Sequence, residues 1–224
     1  MTRTLFAILG LSLAVTASAQ EAVQYTLRIS NAAQHLAEVS AQFPASVNAD
    51  PIVQMPNWRT GRYEILPLAN GLREVVATAP DGKKIPLWKI DKSTWQLKLS
   101  AGVPYRVSYE LYANELGLRT RHIDDSHAYL NASAVFVYSP EFRANPVAVK
   151  LDVPADWQSL SGMDKGDCAH CFKAADYDVL TDSPIETGVH QFYQTQVDGK
   201  DLELAIWGAG NYDRSEERRV GKEC

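Results

Sequence analysis

Five histidines, one closely spaced pair of cysteines and one loop rich in aromatics and arginine are where this sequence could do chemistry. The histidines are His35, His122, His127, His170 and His190. None stands in H-E-x-x-H, the spacing that sets two zinc-binding imidazoles on one helix face with a glutamate as general base. His122 and His127 bracket Asp124 and Asp125 in HIDDSH, which could hold a metal together with an outside ligand. Their i, i+5 separation suits neither a helix face nor a strand face, so the expectation is a polar connecting loop and no metal site in this chain. There is no G-x-S-x-G to strain a serine nucleophile and no glycine-rich loop to cradle phosphate.

The sharpest local motif is Cys168-Ala169-His170-Cys171. Two thiols this close oxidise readily outside the cytoplasm, and the expected product is a structural disulfide that closes a short loop. A redox-active pair is the alternative, but that chemistry wants the first cysteine at a helix N-terminus in a βαβ setting. The flanks here, Gly162 to Asp167 and Phe172 to Tyr177, do not read that way, and zinc would need two further ligands that no neighbouring residue supplies. The loop Met55 to Tyr63 (MPNWRTGRY) offers Trp58, Arg59, Arg62 and Tyr63 to a pocket; equally, it could be a packed crossover with arginine stems covering the rings.

Strands must position these groups. Gln24 to Asn31 alternates, with Tyr25, Leu27 and Ile29 on one face. Further strand-like runs are Leu36 to Phe43, Ile52 to Met55, Val75 to Thr78, Ile85 to Ile90, Trp95 to Leu99, Tyr105 to Leu111, Val135 to Tyr138, Val147 to Val153, Val189 to Val197 and Leu202 to Trp207. Asp81-Gly82 and Asp198-Gly199 fall between such runs and read as hairpin turns. Ala32 to Val39 has helical propensity and Ala113 to Leu118 has the makings of one turn, but no segment sustains a 3.6-residue apolar period. The pattern predicts an all-β fold, a sandwich or saddle of curved, mostly antiparallel sheets with little helix.

Both ends stand outside this pattern. Met1 to Ala19 has a basic start, the apolar run LFAILGLSLAV and an A-x-A site, the order of an export signal, so a periplasmic or secreted protein is expected. The last eleven residues, Arg214 to Cys224 (RSEERRVGKEC), turn abruptly polar and match, codon for codon, the translation of a common sequencing adapter. They are expected to be foreign, which makes Gln20 to Asp213 the front of a longer protein. The 224 residues are 46% hydrophobic and 22% charged, which excludes a disordered or collagen-like chain. A net charge of -5 without a basic block argues against nucleic acid or a membrane surface as partner.

Taken in order, these segments resemble a known family. MPNWRTGRY resembles the P-x-W-x-P-G-x-Y segment of the glycyl aminopeptidases, metallopeptidase family sixty-one, with Thr60 in place of the second proline. The resemblance continues through Asp91 to Trp95, Tyr109 to Thr120, Trp157 and Ala175 to Gly188 (ADYDVLTDSPIETG). It covers only that family's N-terminal β-domain. It implies a parent zinc aminopeptidase whose thermolysin-like catalytic domain, absent here, holds the zinc and meets the peptide substrate. This chain would then have no cofactor and no catalytic residues of its own.

The resemblance further implies that the β-domain covers the catalytic cleft and helps bind the substrate's amino terminus. Glu186 is the candidate to hold that ammonium, with Arg62 and Tyr63 on the cleft wall; these residues could equally serve only the domain boundary. A domain ending at Asp213 should expose an apolar patch where its partner would sit. Two other classes stay open: a free-standing module binding peptide or glycan, with Trp58 among its exposed aromatics, and a periplasmic thiol oxidoreductase using Cys168 and Cys171.

Overall fold

A computed structural model describes residues 20–58, 64–117, 120–208 and 210. Alternation builds its principal sheet. In Val23–Asn31 the side chains of Val23, Tyr25 and Leu27 are buried and those between them exposed. The same rhythm runs through Leu36–Phe43, Tyr105–Tyr112 and Val147–Asp152. These strands form the middle of an eight-stranded sheet whose order is Asp164–Lys165, Cys171–Ala174, Val147–Asp152, Val23–Asn31, Leu36–Phe43, Tyr105–Tyr112, Leu72–Thr78 and Lys84–Ile85. Every pairing is antiparallel except that of Val23–Asn31 with Val147–Asp152, as expected of strands joined by a long connection.

Two smaller sheets pack on the same continuous core: Ile52–Gln54, Thr94–Leu97 and Leu87–Lys89, and the four strands Gln158–Ser161, Ile185–Gly188, His127–Leu130 and Arg121–Ile123. A separate hairpin of Gln191–Val197 and Lys200–Ile206 follows. Its turn has Asp198 at φ 50° and Gly199 at φ 74°, the paired left-handed conformation of a two-residue hairpin loop. The all-β reading therefore holds. Among the described residues no helix is long and apolar enough to cross a membrane.

Three local expectations are corrected. Ala113 to Gly117 forms no helical turn; Asn114 instead bridges to His122, because the Tyr105–Tyr112 strand runs on into pairing with its neighbour. Of Ala32 to Val39, only Ala32–Gln34 coils, as a single 3-10 turn capped by Asn31, before Leu36 enters the sheet. The run Val135 to Tyr138 is not a strand: Ala132–Val135 is a short helix and only Tyr138 makes a bridge, to Gln54. Conversely, the helix Tyr177–Asp182 was not foreseen, although Asp176 caps it by accepting a hydrogen bond from the Val179 N–H at 2.8 Å.

Residues 135–137 are fully buried without a sheet ladder, and tyrosines satisfy them instead. Tyr109 donates to the Val135 carbonyl at 2.6 Å, Tyr177 to Phe136 at 2.7 Å and Tyr25 to Val137 at 2.8 Å. Arg121 ties the same helix down, its guanidinium donating to the carbonyls of Tyr112, Leu68 and Ala134.

Candidate functional site

HIDDSH is not a loose polar loop but a tight hairpin. His122 pairs with Tyr129 and Ile123 with Ala128, leaving Asp125 and Ser126 as the loop, and the Asp124 N–H donates to the His127 carbonyl at 2.9 Å. Partners across an antiparallel pair share a face, so His122, Asp124, His127 and Tyr129 all lie on one side. Ile185–Gly188 extends that face from the other edge of His127–Leu130, with Glu186 opposite Tyr129 and Gly188 opposite His127.

The Asp124 carboxylate organises the turn. Its Oδ1 accepts from the Ser126 N–H and hydroxyl and from the His127 N–H at 2.7–3.0 Å, and the His122 ring lies 3.0 Å from Oδ2. Partial burial works against its charge, yet the Ser126, His122 and His127 hydrogen bonds hold it well below the usual carboxylate range. The His127 ring is 3.3 Å from Oδ1, and burial lowers its pKa despite Asp124. Burial likewise lowers that of His190. Trp207, at the end of the C-terminal hairpin, stacks on His127 with centroids 3.8 Å apart and donates from Nε1 to the Ser126 hydroxyl at 2.8 Å.

Glu186 lies beside this cluster and lines a cleft of about 450 Å³ with Leu116, His127, Tyr129, Ala205 and Trp207. Its Oε1 is shielded from water and has no hydrogen-bond partner among the described residues. Burial, with the Asp124 charge adding to it, pushes its pKa up to about 7. A carboxyl in that setting attracts a cation or ammonium group.

A prediction about stability follows. Because the folded-state pKa is raised, the folded state holds the proton more tightly than the unfolded chain does. The stability linked to it is fully present below about pH 4.5 and is lost as pH rises through about 7. Glu186→Gln should therefore match the parent chain near pH 4 and exceed it at pH 8. The gain should be about 1–2 kcal/mol, reduced from the full linkage value because water reaches part of the side chain. Urea unfolding at the two pH values measures this.

The other sequence candidates lie elsewhere. Arg62 and Tyr63 fall outside the described residues, as does Arg59. Trp58, at the near end of their loop, is half exposed and lines a different, polar pocket of about 410 Å³ with Ser133, Tyr138, Arg143 and Tyr177. Among the described residues, Trp58 and Glu186 thus serve separate pockets. Cys168 and Cys171 form a disulfide, S–S 2.08 Å, in the turn between Asp164–Lys165 and Cys171–Ala174. That is the expected loop closure, not a helix N-terminus. The sequence named His122, Asp124 and His127 together but favoured a loose loop; the Asp-x-Ser-His order, which lets an aspartate cap the turn after it, was the signal for the hairpin.

These features belong to a β-domain of the kind that precedes a peptidase catalytic domain. The peptidase M61 N-terminal domain matches residues 24–189, and the chain belongs to that family. No curated protein matches it. Among solved structures, the chain is similar to an aminopeptidase N family protein from Idiomarina loihiensis, at 24% identity and a TM-score of 0.83, over 89% of this chain and 35% of that one. It is also similar in fold to a mutant M1 zinc metallopeptidase from Deinococcus radiodurans solved with a Tyr-Ser-Ala substrate, at 8% identity and a TM-score of 0.50, over 90% of this chain and 51% of that one. The chain thus spans about a third and a half of those two proteins.

Proposed function

We propose that this chain is the non-catalytic N-terminal domain of an exported zinc aminopeptidase. It packs on a following catalytic domain, shapes the substrate cleft and offers Glu186 to the substrate's α-ammonium. The observation that carries the reading is the Glu186 carboxyl, shielded and unpartnered on an apolar cleft whose wall is the C-terminal hairpin. That hairpin lies beyond the family match, and Val189, Phe192, Leu202, Leu204 and Trp207 are exposed on or beside it. Exposed apolar side chains gathered in one segment suit a surface that a second domain covers. The family and the fold likeness support the peptidase context.

The residues present do not fit the catalytic zinc of such an enzyme. There is no H-E-x-x-H in the sequence to supply its two imidazoles and general base. A zinc-activated water would come from the following domain. Glu186 would act by charge-assisted hydrogen bonding to the ammonium, which orients the first peptide bond. Export would rest on Met1 to Ala19. The periplasmic thiol oxidoreductase gains nothing from a disulfide in a hairpin turn.

Reading the gene past the Asp213 codon tests the proposal. An open frame encoding H-E-x-x-H is expected, and the protein it encodes should hydrolyse glycyl or alanyl amides. In that protein Glu186→Gln should raise KM roughly tenfold, the loss of one charge-assisted contact of about 1.4 kcal/mol. A stop codon directly after Asp213, or an unchanged KM, would sink it.

A further inference from the structure

We propose that the turn Asp124–His127 is a binding site for one divalent transition-metal ion of the zinc class, held by His122, Asp124 and His127 with His190 as fourth donor. Bound there, the ion would fasten the C-terminal hairpin to the four-stranded sheet. The inference does not depend on the aminopeptidase reading, whose zinc would lie on another domain.

Geometry comes first. One ligand atom from each of His122, Asp124 and His127 lies within 4.8 Å of the others. The carboxylate is 3.0 Å from one ring and 3.3 Å from the other. Tetrahedral zinc with bonds near 2.0 Å places its ligand atoms about 3.3 Å apart, and each imidazole already stands at about that distance from one carboxylate oxygen, His122 from Oδ2 and His127 from Oδ1. Two imidazoles and a carboxylate select zinc, cobalt, nickel or copper over calcium and magnesium.

An alternative is that Asp124 merely caps the turn. Capping accounts for Oδ1, which takes the Ser126 and His127 N–H groups, but it does not account for His190. Both ring nitrogens of His190 are shielded from water without a hydrogen-bond partner among the described residues. His190 stands beside the turn, for its neighbour Val189 donates its N–H to the Ser126 carbonyl at 2.8 Å. Two shielded ring nitrogens on a half-buried imidazole are costly to leave unsatisfied unless a donor or an ion takes up a lone pair.

Charge points the same way. Asp124 and Glu186 both face the site, and neither meets a lysine or arginine among the described residues. A divalent ion would relieve that repulsion. Trp207 lies over His127 at 3.8 Å, so the ion would stiffen the ring on which the hairpin rests.

The test uses the full chain carrying Cys224→Ser, to remove the one cysteine outside the disulfide, stripped with chelator and titrated with zinc sulfate by calorimetry. One ion per chain is expected, with a Tm rise of roughly 5 °C at a hundredfold excess over Kd. Cobalt chloride should give the visible absorption of a tetrahedral N/O site and quench Trp207 fluorescence. His127→Ala and His190→Ala should each weaken binding by at least about 100-fold, and His170→Ala, outside the cluster, should not change it. If the buried His127 variant fails to fold, His122→Gln, checked by circular dichroism, carries the same expectation. Absence of one-to-one zinc binding, or folded His122 and His190 variants that bind as tightly as the parent chain, would overturn the proposal.

Discussion

Gly188→Ala is expected to destabilise the chain by about 3 kcal/mol and to dismantle the His127 cluster with it. Gly188 is central in the four-stranded sheet, between His127 on one side and Gln158 on the other. A β-carbon there would sit 2.4 Å from the His127 β-carbon, 2.6 Å from its α-carbon and 2.6 Å from the Ser126 carbonyl oxygen. These are backbone atoms or atoms attached to it, so no flexible side chain can swing aside. The strands must move apart or slip, and the Val189 hydrogen bond to Ser126 is lost with the alignment. Overpacking usually costs about 1–3 kcal/mol, and a clash with backbone on a central strand belongs at the top of that range. Urea unfolding measures the loss, and Trp207 emission should shift as its stack on His127 opens. A loss below about 1 kcal/mol would show that the two strands are not held this close.

The sheets were legible in the sequence because most strands have one face in the core and the other in water. Tyr25 and Leu27, or Val107, Tyr109 and Leu111, announce themselves by period alone. The Asp198-Gly199 hairpin was legible for a different reason, a turn chemistry that few dipeptides satisfy. The disulfide followed from spacing. Glu186 was picked out by the family resemblance alone. What raises its pKa, burial first and then the approach of Asp124, follows from the register that sets Glu186 opposite Tyr129, which no single sequence displays.

The His122–Asp124–His127 group was weighed and set aside as a loop because the spacing rule was applied to one element. Five residues apart suits no single helix or strand, yet across a two-residue hairpin loop it puts both rings on one face. The helix at Ala132–Val135 escaped for a related reason. Val135 to Tyr138 (VFVY) reads as strand by propensity, and the partners that override propensity lie up to 112 residues away in sequence.

Those partners give the other large effect. Tyr109→Phe is expected to destabilise the chain by about 3 kcal/mol, and Tyr25→Phe by about half as much. Either change keeps the ring, so core packing is preserved and the hydroxyl alone is tested. The Tyr109 hydroxyl works twice, donating to the Val135 carbonyl at 2.6 Å and accepting from the Val137 N–H at 3.2 Å. Removing it leaves a buried carbonyl and a buried N–H without that partner, each worth about 1–3 kcal/mol. The Tyr25 hydroxyl serves only the Val137 carbonyl. Tyr109 and Tyr25 are both fully buried, and burial raises both phenol pKa values, so neither ionises in the working range and the comparison holds across pH. Parallel urea titrations of the two variants provide the measurement. If Tyr109→Phe costs no more than Tyr25→Phe, water must replace the hydroxyl, and residues 135–137 would not depend on tyrosines in place of a strand neighbour.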